Sequence, residues 1–223
     1  MIHRTLPQTL LVLAVALTTS AADATVVKFL TPLGRFDVEL YDDEAPLTVA
    51  NFLEYVEDGD FIDSIIHRSA KTADSGVNVI QGGGFYDDFT SVPTNAPVVN
   101  EFASDRSNVR GTIAMARLGG QPDSATSQWF VNTTDNLALD GIDGGFTVFG
   151  IVLDNGMDVV DAIADLGRVN AGGAFGALPV LDVMDGTASD NLVTVDVYVV
   201  PEPSVLVLSG LALVGVVARR RVA

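Results

Sequence analysis

Ile66-His67-Arg68, Ile80-Gln81-Gly82-Gly83, Gly111-Thr112-Ile113-Ala114-Met115-Ala116, Ser127-Gln128-Trp129-Phe130, Leu139-Asp140-Gly141 and Val148-Phe149-Gly150 follow one another within residues 60–150. Each is a short apolar run carrying one or two polar side chains and bounded by Gly, Pro, Asn or Asp. Such punctuation predicts short strands, here over Ser64–Arg68, Asn78–Gln81, Thr112–Arg117, Gln128–Val131 and Thr147–Val152. The set holds almost none of the usual equipment of hydrolytic or redox chemistry. Its candidate functional side chains are one Arg, two Gln and several apolar residues.

Outward from this stretch the pattern continues. Thr25–Leu30 is β-branched and apolar, Pro32-Leu33-Gly34 is a turn, and Arg35–Tyr41 alternates, with Phe36, Val38 and Leu40 on one face. This predicts an opening hairpin with one buried side. Asp42-Asp43-Glu44 precedes Pro46, and Val49, Phe52, Leu53 and Val56 recur at helical spacing until Asp58-Gly59, which predicts a helix with an acidic, proline-marked start. A second helix is expected over Met157–Leu166, with Val159, Val160, Ile163 and Leu166 buried. The last strand is expected over Leu192–Val199. The Gly-rich, weakly patterned Asn170–Asn191 reads as an extended surface loop. Many short strands, two helices and no repeated strand–helix–strand unit argue for a closed antiparallel barrel.

Composition narrows the chemistry. The 223 residues carry 12 Lys+Arg against 29 Asp+Glu, a formal net charge of −17. Four of those cations, Arg4 and Arg219-Arg220-Arg221, sit in the end segments, so the middle is more acidic still. Nucleic acid needs a basic stripe and is excluded as a partner. With no Cys in the chain, no disulfide can staple the fold. His67 is the single histidine outside the N-terminal segment, which rules out multi-histidine zinc sites. Asp182, Asp185 and Asp190 lack the spacing of a calcium loop and read as a solvated acidic stretch.

Both ends look like addresses. Residues 1–24 have a short basic start (His3, Arg4), an apolar run from Leu10 to Leu17 and the small residues Ser20-Ala21-Ala22-Asp23-Ala24, the pattern of a secretory signal peptide cut after Ala22 or Ala24. Val200-Pro201-Glu202-Pro203-Ser204 is followed by apolar Val205–Ala218 and three arginines. Fourteen such residues make about 21 Å of helix, short for a ~30 Å hydrocarbon core. Arginines behind the run favour a cytoplasmic end. This tail resembles the PEP-CTERM sorting signal of Gram-negative bacteria. That resemblance implies a temporary anchor and, as a partner, an exosortase-type enzyme that cuts near the Pro-Glu-Pro box; a plain membrane tail that stays attached is the rival.

The landmark succession itself resembles the cyclophilins, the peptidyl-prolyl cis–trans isomerases built on an eight-stranded barrel. The resemblance spans about Thr25–Val199. It implies an all-β fold, an eight-stranded closed antiparallel barrel capped by two α-helices, and proline-containing polypeptides as partners, with neither cofactor nor metal. Arg68 stands at the place of the family's essential arginine. Gln81 matches the glutamine that bonds substrate backbone. Phe130, Leu139 and Val79 match the apolar lining of the proline pocket, Ala116 a small residue whose backbone touches the peptide, and Gln128 another groove residue. His67 corresponds to a structural, hydrogen-bonded barrel residue. The chain also departs from the family. Ala70–Gly76 is an insertion, Asn78 and Ala138 stand where aromatic side chains are usual, and Phe146 replaces a His or Tyr. These changes predict a pocket enlarged at Asn78 and Ala138, and modest activity.

The expected organisation is therefore a signal peptide (1–24), a cyclophilin-like domain (25–199) and a sorting tail with a short transmembrane helix (200–223), exported to the periplasm, envelope or extracellular matrix. The leading function is isomerisation of X–Pro bonds in exported proteins. The alternative is a catalytically weak module that holds Pro-containing segments of envelope or matrix proteins, and a third possibility is a structural matrix component.

Overall fold

The computed structural model describes residues 24–183 and 191–201. The expected signal peptide (except Ala24), the tail from Glu202 onward, Asp185 and Asp190 lie outside the described residues. Among the described residues no helix is long and apolar enough to cross a membrane.

Eleven strand segments form: β1 Val26–Thr31, β2 Gly34–Leu40, β3 Ser64–Ile65, β4 Arg68–Ala70, β5 Val79–Gly82, β6 Thr112–Met115, β7 Trp129–Asn132, β8 Val148–Val152, β9 Gly167–Val169, β10 Leu178–Val180 and β11 Thr194–Val199. Nine of them make one sheet in the order β3-β11-β1-β2-β8-β6-β7-β5-β4. The two ends of that order, β3 and β4, are separated in the chain only by Ile66 and His67. The Ile66 amide donates to the Val193 carbonyl beside β11, and the His67 amide to the Gln81 carbonyl on β5. The sheet thus curls until its two margins are one continuous piece of chain. Counted as one bent strand, β3 and β4 bring the sheet to the expected eight.

Alternation along the strands decides what fills the inside. Val27 and Phe29, Phe36 and Val38, Ile80, Ile113 and Met115, Trp129 and Val131, Phe149, and Val195 and Val197 are all buried in one cluster. Phe29 is its aromatic hub, stacked on Phe36 at 4.7 Å between ring centres and edge-on to Trp129 at 5.0 Å. Helix α1, Pro46–Asp58, covers this core with Val49, Phe52, Tyr55 and Val56. Full burial of such side chains contributes about 1.5–3 kcal/mol each. The helix has Pro in its first turn and ends at Gly59 in the left-handed conformation (φ 78°), whose amide returns to the Val56 carbonyl. The acidic start expected from Asp42-Asp43-Glu44 is not what caps it. The Leu47 and Thr48 amides donate instead to the two carboxylate oxygens of Glu101, at 3.1 and 2.7 Å. A residue more than fifty positions away supplies the charge that the helix N-terminus favours.

Two segments differ from the sequence-based expectation. The insertion folds into a one-turn helix, α2 (Thr72–Ser75), and the second expected helix forms as α3 (Gly156–Ala164). The Asn170–Asn191 stretch is not simply a surface loop. Its Leu178–Val180 pairs with Gly167–Val169 and is wholly buried, packing with Ile65 and Leu192 and against Phe85, Phe89 and Phe175. Three buried residues in a row show no alternation, and their partner strand is equally short, so no period marks them in the sequence.

Gly150 on β8 lies opposite Leu40 on β2, and a Cβ built there would meet the Glu39 carbonyl oxygen at 2.6 Å. Backbone cannot give way as a flexible side chain can. Gly150→Ala is therefore expected to lower unfolding stability by about 1–3 kcal/mol, read as a reduced urea midpoint at unchanged slope.

Candidate active site

The face of the sheet turned away from the aromatic core carries the other half of the alternation. In β5, Ile80 points inward, so Val79 and Gln81 point outward; in β7, Trp129 and Val131 are inside and Phe130 outside; in β6, Ile113 and Met115 are inside and Ala114 outside. Register then aligns these outward positions. Arg68 on β4 pairs with Gln81 on β5, Gln81 with Phe130 on β7, and Phe130 with Ala114 on β6. Side chains far apart in sequence become one row across four strands.

A hollow of about 240 Å³ sits on this row, with Val79, Phe130 and Leu139 as its apolar lining and Arg68, Gln81 and Ala116 on its polar side. Six of the seven residues singled out in the sequence thus line one cavity. The seventh, Gln128, is joined to them by a chain of hydrogen bonds. Arg68 Nη1 donates to Gln81 Oε1 at 3.0 Å, and Gln81 Nε2 donates to Gln128 Oε1 at 2.8 Å. The Gln81 amide is oriented at both ends, and it still has one N–H and one lone pair to offer. Arg68 forms no ion pair among the described residues despite the acidity of the chain. Partial burial lowers its pKa, yet a guanidinium stays protonated.

Leu139 reaches the hollow from a short 3-10 turn, Leu137–Asp140. Buried asparagines hold that turn. Asn108 donates to Asp140 Oδ1 from both its amide (3.0 Å) and its Nδ2 (2.9 Å). Asn136 Nδ2 donates to Asn132 Oδ1 at 2.8 Å, and Asn132 Nδ2 to Thr112 Oγ1 at 2.9 Å.

Three side chains alter the expected pocket. Asn78 does not face the hollow; it ties down the insertion, accepting from the Thr72 amide at 2.9 Å and donating to Thr134 Oγ1 at 3.1 Å. Val77 lines the hollow one position earlier. Ala138 is exposed and lies off the hollow, so the enlargement expected at these two places is not where the cavity is. Phe146 closes one side, edge-on to Phe130 at 5.9 Å. Arg117, at the end of the expected strand Thr112–Arg117, stacks on Phe146 with its guanidinium 4.2 Å from the ring centre. Only 2% of that side chain is exposed. It donates to the Ile142 carbonyl at 3.0 Å and to the Asp143 and Gly145 carbonyls at 3.3 Å, clamping the loop before Phe146. An Arg followed by Leu-Gly-Gly gives no periodic cue to this role.

His67 is buried, with its ring edge-on to Phe85 at 5.0 Å. Its Nδ1 makes no well-formed hydrogen bond, while the Ile65 backbone and the Gln128 side chain hydrogen-bond the ring, in keeping with the hydrogen-bonded barrel residue expected. Burial first, and the adjacent Arg68 cation second, lower its pKa from 6.5 to about 4; the Ile65 backbone and Gln128 side chain oppose this only partly. The imidazole is neutral at pH 7 and turned into the structure.

Residues 26–180 match the family described as cyclophilin type peptidyl-prolyl cis-trans isomerase/CLD, and residues 199–221 match the PEP-CTERM protein-sorting motif. A peptidyl-prolyl cis-trans isomerase of Acinetobacter baylyi is 43% identical over 144 residues, which cover 64% of this chain and 73% of that protein. Peptidyl-prolyl cis-trans isomerase B of Escherichia coli is 40% identical over 152 residues, covering 66% and 88%. Among solved structures, a Cryptosporidium parvum cyclophilin-type isomerase superposes with a TM-score of 0.61 at 20% identity, over 81% of this chain and 99% of that one, a likeness of fold.

The neutral, buried His67 carries a pH signature. Its folded pKa lies below the unfolded value, so the unfolded chain takes up the proton first as pH falls. Its stabilising contribution is complete above about 6.5 and is lost progressively down to about pH 4, amounting to about 3 kcal/mol. Chemical unfolding between pH 7 and 4 should show a shallower loss of stability in His67→Gln than in the wild type.

Proposed function

The chain belongs to the cyclophilin-type peptidyl-prolyl cis–trans isomerases, and we propose that it catalyses rotation about X–Pro bonds with Arg68 as the donor to the prolyl nitrogen. Rotation must cross ~18–20 kcal/mol of amide resonance and takes tens to hundreds of seconds unaided. No bond breaks, so the catalyst has only to prefer the twisted amide over both planar forms. In the twisted state the prolyl nitrogen regains its lone pair. An N–H aimed at that atom bonds the transition state and neither ground state. Arg68 suits the task because its charge is permanent and its donors lie in a rigid plane.

The single observation that carries this reading is a guanidinium without a carboxylate partner at the rim of an apolar hollow. The proline ring would sit among Val79, Phe130, Leu139 and Phe146. Gln81, already oriented by Arg68 and Gln128, would bond the flanking substrate backbone, with Ala116 and Gln128 extending that contact. Holding the ring while the preceding carbonyl turns converts binding into rate, at about 1.36 kcal/mol per tenfold. In a protease-coupled assay on a short X–Pro peptide, Arg68→Ala should lower kcat/KM by about 10²-fold, ~2.7 kcal/mol, with an unchanged unfolding midpoint. A mutant at near wild-type rate would refute the role given to Arg68.

The match to a PEP-CTERM sorting motif implies export and a location in the cell envelope or outside it. The finer reading is that residues 1–24 are removed on export, that 25–199 fold as the isomerase, and that the tail from 200 holds the protein at the inner membrane until an exosortase-type enzyme cuts it. The Pro-Glu-Pro box at 201–203 is the place at which such an enzyme would cut. Intact mass measured on protein from the native host should show loss of both ends. Retention of Arg219–Arg221 as the only stable form would mean a permanent anchor.

A further inference from the structure

Rotation of an X–Pro bond gives no task to Arg117 or to the loop it clamps. Residues 143–145 run through three successive left-handed conformations, Asp143 at φ 48°, Gly144 at 85° and Gly145 at 80°. Glycine enters that region freely and is as free to leave it, so such a run does not fix one shape by itself. The shape it takes points the backbone carbonyls of Ile142, Asp143 and Gly145 at one nitrogen, Arg117 Nη2, at 3.0, 3.3 and 3.3 Å. The Leu118 carbonyl at 3.4 Å and the Asp143 carboxylate at 3.9 Å meet Nη1. Asn100 Nδ2 adds bonds to the Gly144 and Gly145 carbonyls at 3.0 and 3.1 Å, and the Gly120 amide donates to the Asp143 carboxylate at 2.9 Å.

The next residue after this loop is Phe146, a wall of the 240 Å³ hollow. Its ring is only partly buried, and its one aromatic neighbour, Phe130, meets it edge-on at 5.9 Å. The Arg117 guanidinium lies over that ring, and a cation so nearly desolvated is held there more strongly than one in water. Arg117 is itself anchored to the sheet. It follows Ala116, whose amide donates to the Gln128 carbonyl at 2.9 Å, and β6 is registered on Trp129 of the aromatic core. One guanidinium thus carries the position of the sheet to a loop and to a ring that the core does not reach.

On the premise that the chain isomerises X–Pro bonds, we propose that Arg117 is a positioning residue of the proline hollow, whose charge organises the 142–145 loop and which acts on substrate only through Phe146. Arg68 and Arg117 then govern different quantities. The Arg68 donor serves the twisted amide. The wall that Arg117 sets touches the proline ring, which is the same in both planar forms and in the twisted one, so it contributes equally to all three. Losing Arg117 therefore weakens binding and leaves the turnover of bound substrate near its original value. Volume alone does not replace it, because an uncharged side chain would leave the converging carbonyls without a donor.

The test is a double-mutant cycle of Arg117→Met and Phe146→Leu, read as kcat and KM on a short X–Pro peptide in the protease-coupled assay. Each single variant should raise KM by about tenfold with kcat within about twofold. The double variant should lose no more than about threefold beyond either single, where independent sites would multiply to about a hundredfold. Arg117→Lys, which keeps a charge over the ring but offers the carbonyls a single ammonium, should have a KM between wild type and Arg117→Met. Urea midpoints establish that each variant is folded at the assay temperature; if Arg117→Met is not, Arg117→Lys takes its place in the cycle. Losses that multiply, a loss carried by kcat, or a Lys variant no better than Met overturns the proposal. If the wild type binds the peptide without turning it over, the isomerase reading falls, and the same cycle run on calorimetric Kd still decides the role of Arg117.

Discussion

Everything at the site depends on the register between β4, β5, β7 and β6. Side chains alternate faces along a strand, so a slip of one residue would carry Arg68, Gln81 and Phe130 into the barrel and put Ile80 and Trp129 on the surface. The inward residues prevent this. Trp129, Ile80, Val131 and Ile113 are fully buried among the rings around Phe29, and exposing that set would cost several times what any outward contact returns. The aromatic core thus holds a polar row in place without touching it. The glycines beside the row serve the same constraint: a Cβ at Gly82 or Gly83 would lie within 3 Å of the Trp129 indole.

Electrostatics gives the row its character. In a chain of net charge −17, the carboxylates stay away from the 240 Å³ hollow, and no Asp or Glu lines it. Elsewhere the arginines find acids: Arg35 with Asp37, Arg110 with Asp161, Arg168 with Asp74. Arg68 instead bonds a neutral amide. Arg117 is the complement, a buried cation held by backbone carbonyls, the face of Phe146 and, at 3.9 Å, the Asp143 carboxylate. The two arginines thus differ: one bonds a neutral amide at the hollow, the other braces its wall.

Much of this was readable beforehand. Alternation in Arg35–Tyr41 and the helical spacing of Val49, Phe52 and Val56 placed β2 and α1, because short-range periodicity records which face is buried. The seven site residues were named from their motif neighbours, and the structure brings them to one outer face. Asn78 and Ala138 were legible as departures, but not their consequence: an insertion changes which backbone position faces a cavity, and only the folded path of Lys71–Val77 shows that Val77 turns in while Asn78 turns to Thr72 and Thr134.

The sequence by itself determined the opening hairpin, most of the other strands and two helices through short-range periodicity, and the absence of metal-binding histidine clusters and disulfides through residue type, while the polar row was named through the family resemblance. Tertiary structure alone decided the rest. Glu101 as the cap of α1, Arg117 as the brace of Phe146, the Asn108–Asp140 bonds under Leu139, and the Gly173–Gly176 segment that lies opposite the insertion all join residues separated by more than twenty positions. No local period encodes such a contact. It exists because the sheet curls and brings those segments together.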